Sequence, residues 1–182
     1  MRYLTRGSSS KARSVAVVVA GALAAIGSAA PASAARASHE QAVHGDWQTL
    51  VACVLTRYDP ATGRGSCDGS TLWRGTWSGV THYTVRGFFD LVTGDASGMI
   101  DEAFVGTSDD GGSGTLRFHE RFTLDGATSA LHIDAWLLGG SGSFTGSRGF
   151  VTFDGQENAV TGSGTYAGTW TRPTSRARRV RR

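Results

Sequence analysis

Glu120 is the residue of this sequence best placed to do chemistry. It lies in Thr115–Leu124, where Leu116, Phe118, Phe122 and Leu124 alternate with Thr115, Arg117, His119, Arg121 and Thr123. A period of two puts alternate side chains on opposite faces of a strand, and Glu120 takes the parity of the four large apolar residues. A carboxyl on an apolar face is costly to ionise, so its pKa rises into the range where it exchanges protons as a general acid or base. Arg121 points to the other face and is not its partner. Glu102, on one face with Ile100 and Phe104, is the second candidate catalytic carboxyl. The competing reading is structural: a carboxyl at the mouth of a barrel, or one paired with an arginine from another strand. Tyr83, Phe89, Phe118, Phe122 and Trp136 are candidates to line a ligand pocket beside these acids. Aromatic residues in alternation also read as plain core.

Other chemistries find no support. There is no G-x-S-x-G elbow, H-E-x-x-H, phosphate-binding loop, dinucleotide fingerprint or calcium loop. The five histidines, 39, 44, 82, 119 and 132, lack metal-ligand spacing. Asp109-Asp110-Gly111-Gly112 is first a hairpin turn, with calcium binding as the lesser reading. Neither metal nor cofactor is expected. The two cysteines, Cys53 and Cys67, allow one pairing. They are not a C-x-x-C pair and have no neighbouring histidine, which favours a structural disulfide over a metal or redox site.

The elements that must position these residues begin after residue 34. Arg2, Arg6, Lys11 and Arg13 precede the apolar run Val15–Ile26, and Ala32-Ser33-Ala34 is an A-x-A site. Together they read as a signal peptide, 1–34, cleaved before Ala35, which predicts a secreted protein able to keep disulfides. No Arg-Arg pair marks a twin-arginine signal, and the run is short for a membrane span. The only lysine, Lys11, leaves with the signal, which excludes Schiff-base chemistry. Residues 35–171 hold all 15 acids of the chain against eight arginines, so the basic balance belongs to the ends. A nucleic-acid binder should carry its basic patch on the fold, and none is expected here. Scarce lysine beside abundant Ala, Gly and Arg indicates GC-rich coding, as in a high-GC bacterium.

Residues 35–45 read as a loose leader and 46–171 as one β domain. The first strand carries Trp47, Thr49, Val51, Cys53 and Leu55 on one face, and Asp59–Gly63 is a turn. Further strands are expected at Leu72–Trp77, Val80–Val92, Met99–Val105, Thr115–Leu124, Ala130–Leu138, 148–154 and 160–171. Two glycine-rich copies, Gly140-Ser141-Gly142-Ser143-Phe144-Thr145-Gly146 and Gly162-Ser163-Gly164-Thr165-Tyr166-Ala167-Gly168, mark bends. Eight strands, no helical period and glycine-marked bends predict an all-β fold, an eight-stranded antiparallel β-barrel.

The stretch from Gly140 to Gly149, the Glu120-Arg121-Phe122 triplet and the closing Gly164-Thr165-Tyr166-Ala167-Gly168-Thr169-Trp170 resemble the allene oxide cyclase and dirigent barrel superfamily, and most of all its small bacterial members. The resemblance covers roughly residues 70–171 and leaves Cys53 and Cys67 outside. It implies an eight-stranded barrel with a mostly apolar lumen. Plant relatives cyclise a fatty-acid epoxide or steer radical coupling of phenols. Their active residues sit at scattered positions that are not matched to this sequence, so none is carried over.

Three functional classes follow. The first is an exported barrel binding a small hydrophobic ligand. The second is a cofactor-free isomerase or cyclase using Glu120. The third is a structural or interaction protein with a filled barrel. Residues 172–182 carry six arginines and read as a disordered tail. That tail is either a solvated end or a contact with the anionic cell surface. The oligomeric state stays open.

Overall fold

The computed structural model describes residues 38–158 and 160–173. Residues 1–34, read above as a signal peptide, and the arginines after Pro173 lie outside them. Eight strands close into one antiparallel barrel, each paired with its sequence neighbours and the last with the first. They are β1 (Ser38–Asp59), β2 (Arg64–Gly75), β3 (Trp77–Phe89), β4 (Ala96–Ser108), β5 (Ser113–Asp125), β6 (Ala130–Gly140), β7 (Arg148–Glu157) and β8 (Gly162–Pro173). A 3₁₀ turn, Gly142–Phe144, lies between β6 and β7. Closure pairs the first strand with the last, and β1 runs on past β8, so that from Thr49 to Asp59 it pairs with β2 alone.

Several boundaries differ from the sequence expectation. Residues 38–45 are strand, not leader, because β8 pairs with them from Ser38–Pro173 to Gly45–Tyr166. Arg172 likewise belongs to β8 and not to the tail. Its guanidinium pairs with Asp110 and lies 5.3 Å from the Trp170 ring centroid. Trp77 opens β3 instead of ending β2. Gly75 takes a φ of 124°, open to glycine alone, so the chain turns at Gly75–Thr76 rather than at Ser78–Gly79. Val51 points outward although Trp47, Cys53 and Leu55 do not. Register shifts between Thr49 and Val51 and between Val51 and Val54 reverse the facing and then restore it.

The two glycine-rich copies fold differently. Gly142 and Gly146 have φ of 61° and 78° and shape the β6–β7 connection. The second copy stays within β8, where it pairs with both β1 and β7.

The lumen has two halves. In one, Trp73, Trp77, Phe104, Phe118, Phe144, Tyr166 and Trp170 are fully buried and pack ring against ring. Phe144 drops in from the 3₁₀ turn and plugs that end. The Tyr166 hydroxyl accepts from the Trp77 N–H and donates to the Trp77 carbonyl, both at 3.0 Å, which satisfies backbone groups left free at the β2–β3 turn. The other half is hollow.

Cys53 and Cys67 are bonded across β1 and β2, with Cα atoms 5.3 Å apart. The bond ties the irregular part of β1 to the regular β2.

Two stability changes follow. Replacing both cysteines by alanine should cost roughly 3 kcal/mol, the entropy of a loop of about 15 residues; urea unfolding with and without reductant measures it, and equal midpoints would show the bond adds nothing. Phe144→Ala should cost about 3–5 kcal/mol, since its ring has no solvent exposure and touches Phe104 and Trp170. A loss below about 1 kcal/mol would show that the plug is not structural.

Candidate functional site

The hollow half is a cavity of about 420 Å³. It opens where the β3–β4, β5–β6 and β7–β8 connections meet, lined there by Asp90, Leu91, Asp95, Ser129 and Asn158. Its floor is the Trp73 indole, the lid of the aromatic half. Its wall is built by strand parity. Residues Ile100 and Glu102 of β4, Glu120, Phe122 and Leu124 of β5, and Leu131 and Ile133 of β6 all face inward.

Both carboxyls picked out by parity line this cavity. Glu120 is 1% exposed and Glu102 is 7% exposed. In the β4–β5 register Glu120 stands opposite Ile100, and Glu102 opposite Phe118, so the two acids are diagonal neighbours on one face. Their surroundings are unequal. The Trp73 Nε1–H donates to Thr71 Oγ1 at 2.9 Å, and Thr71 and Thr81 share a hydroxyl hydrogen bond of 2.6 Å. Thr71 Oγ1 reaches Glu102 Oε1 at 3.4 Å. Glu120 Oε1 has no hydrogen-bond partner among the described residues.

This inequality sets the protonation order. Burial raises both pKa values. Hydrogen bonds from Glu120, Thr81 and Thr71 hold Glu102 back. Burial pushes Glu120 well above the carboxylate range, and the nearby Glu102 charge and its hydrogen bond push it further. The pair therefore carries one proton more readily on Glu120, as expected where two acids share an apolar site. Nearer the mouth, burial raises Glu157. Burial first, then the charges of Glu157 and Glu102, drives Tyr83 well above its ordinary phenol value.

The aromatic candidates divide. Tyr83, Phe89 and Phe122 line the cavity. Tyr83 lies flat over Gly69 of β2, its paired residue, and occupies the space a Cβ there would need. Phe118 does not line it. It belongs to the aromatic half, 5.4 Å from Trp73 and 5.7 Å from Trp77. Trp136 is on the outer surface, 41% exposed, against Phe150 at 5.6 Å. The inward residues of β6 are Leu131, Ile133, Ala135 and Leu137, so the small Ala135 takes the interior parity and Trp136 the exterior. Leu138 is outside for the same reason.

Sequence reasoning missed Glu157 and Trp47. Glu157 ends β7 beside the opening, where Asp154, Gly155 and Gln156 hide the strand parity. Trp47 was placed on an inward face but not given a role. It lines the cavity, and its Nε1–H is buried with no partner among the described residues. Arg121 behaves as expected, pairing outside with Asp134 at 2.6 Å. Asp109-Asp110-Gly111-Gly112 forms the β4–β5 turn, and no cluster of three metal-ligating side chains exists among the described residues.

No protein-family model matches the sequence, and no curated protein matches it. Among solved structures, the pterocarpan synthase dirigent protein GePTS1 is similar, with a TM-score of 0.50 and 9% identity. The match covers 76% of this chain and 87% of that one. At this identity the likeness concerns the backbone, and it agrees with the strand order and closure described above: the chain folds as a closed, eight-stranded antiparallel β-barrel similar to that of the dirigent protein.

Proposed function

We propose that this is an exported binding barrel whose hollow half holds a small, largely apolar molecule. The carrying observation is a cavity of about 420 Å³ with a buried carboxyl oxygen in its wall, Glu120 Oε1, that has no partner among the described residues. A cavity of this volume, mostly apolar and with a few convergent polar groups, is the usual form of a small-molecule site. Buried polar atoms are rarely left unpaired, and a ligand with one polar end would satisfy Glu120 Oε1 or Trp47 Nε1. The filled-barrel reading loses support because only one half is filled. The cross-strand disulfide supports export. The arginines beyond Pro173 remain a proposed contact with anionic surfaces, without Arg172, which is engaged by Asp110 and Trp170.

The carboxyl pair favours one second reading, a cofactor-free isomerase or cyclase. Protonated Glu120 would give a proton to a bound substrate and Glu102, held by Thr71 and Thr81, would take one elsewhere on it. Both readings use the same cavity and differ in turnover.

Nile red, a neutral dye that brightens in apolar surroundings, tests the cavity. The folded protein should bind it saturably at one site. Ala96→Trp and Ile133→Trp, which fill the hollow half, should each weaken binding at least tenfold with little change in thermal unfolding. Undiminished binding by both variants would place the dye elsewhere and remove the proposal.

The acids give a second test. A carboxyl whose pKa is raised on folding stabilises the fold fully below its unfolded value, near 4.5, and loses that contribution as pH rises through the folded value. Glu120→Gln should therefore unfold at higher temperature than the parent at neutral pH. The gap should shrink as pH falls towards the ordinary carboxylate range. A gap independent of pH would mean that Glu120 does not hold its proton in the fold.

A further inference from the structure

We propose that the molecule this cavity takes is an organic cation: an apolar, aromatic or alicyclic amine whose ammonium group sits between Glu102 and Glu120. This deepens the binding reading above and rests on it.

Three observations carry the inference. First, apart from Tyr83, every ionisable side chain lining the cavity is an acid: Asp90, Asp95, Glu102, Glu120 and Glu157. Among the described residues, no lysine, arginine or histidine lines it. A fatty acid or other anion would bring its charge against these groups with nothing to neutralise it. Second, Glu120 Oε1 is buried with no partner among the described residues, on a side chain 1% exposed that lines the cavity. A buried polar atom is rarely left in that state. An ammonium has three donors and no acceptor, so it can serve Glu120 and Glu102 together. A neutral hydroxyl has one proton to give. Third, aromatic side chains border the acids: Trp73 at the floor, with Trp47, Tyr83, Phe122 and Phe153 around the wall. Ring faces attract cations, and more strongly away from water.

The rim agrees with this ligand. Asp90 is held below the usual carboxylate range by backbone N–H groups of Val92 and Thr93 and stays ionised. Asp95 accepts from Gly126 N–H and Thr93. These charges favour approach of cations over anions. Leu91 and Val92 are exposed at the same lip and offer apolar contact to the body of the ligand. Once inside, the ammonium displaces the proton that Glu120 and Glu102 share. That proton passes to solvent, leaving two carboxylates and a cation where one carboxylate and one acid stood.

The test compares three isosteres by calorimetry at neutral pH on the full mature chain: 2-(2-naphthyl)ethylamine, 2-(2-naphthyl)ethanol and 2-naphthylacetic acid. The amine should bind at least tenfold tighter than the alcohol, and the acid most weakly. Titrations in buffers of different ionisation enthalpy should show about one proton released per amine bound and none for the alcohol. Glu120→Gln should bring the amine to within about threefold of the alcohol, because the neutral amide offers no charge to the ammonium. Should that variant not fold, proton release by the parent protein decides the matter. An alcohol that matches the amine, or amine binding without proton release, overturns the cation assignment. Nile red binding with no amine binding overturns the assignment alone. Absence of both overturns the binding reading with it.

Discussion

The indole of Trp73 lies 5.0–6.0 Å from five other aromatic rings, those of Trp77, Phe104, Phe118, Phe153 and Tyr166. Its Nε1–H reaches back to Thr71. An eight-stranded barrel is just wide enough to be filled by side chains or to hold one small molecule. Here Trp73 draws the line between the two outcomes. On one side the rings interlock and carry the packing energy. On the other the wall has no such filler, and space remains. The same indole fixes the Thr71 hydroxyl, which faces Glu102, so the packing of the solid half orients the polar groups of the hollow one.

That coupling explains how two acids persist in an apolar interior. A lone buried carboxylate would be very costly. The protein lowers the cost by keeping a proton on Glu120 and surrounding Glu102 with donors. It does not remove the cost, since Glu120 Oε1 has no partner among the described residues. A fold selected for stability alone would place leucine at these positions, because replacing buried polar groups by well-packed apolar ones is often neutral or stabilising. Strain of this kind gathers where a site does work. The charges outside are of another sort. Arg86, Asp101 and His119, and Arg121, Asp134, His132 and Asp154, form cross-strand ladders in water. Such exposed pairs contribute little each.

The fold was legible because each strand alternates and each turn is marked. Glu120 and Glu102 were legible for the same reason, their parity among large apolar residues. What stayed hidden depends on partners distant in sequence. Residues 38–45 become a strand only because β8 lies beside them. Trp77 changes strand because of the φ of Gly75, which no pattern of side chains reveals. Val51 turns outward at a register shift, and Trp136 lies outside because Ala135, a residue without a strong preference, takes the interior place. The glycine-rich copies looked alike and are not: one is a plugged turn, the other a strand. The division of the lumen was not readable, because it follows from which rings meet across the barrel, and that is decided by closure.

The pairing of Ser38 with Pro173 has a bearing on engineering. The first and last described residues lie side by side on β1 and β8, at the end that Phe144 plugs and away from the mouth. A fluorophore, affinity handle or second domain joined at either position would leave from the plugged end and keep clear of ligand entry. The two positions could also be bridged by a short linker and the chain reopened at the β1–β2 hairpin, where Asp59 already organises the turn through Ala61 and Thr62. Such a permutant would keep every strand pairing and move the new termini to the open end of the barrel, turning a site now remote from Ser38 and Pro173 into one that a tethered sensor could reach.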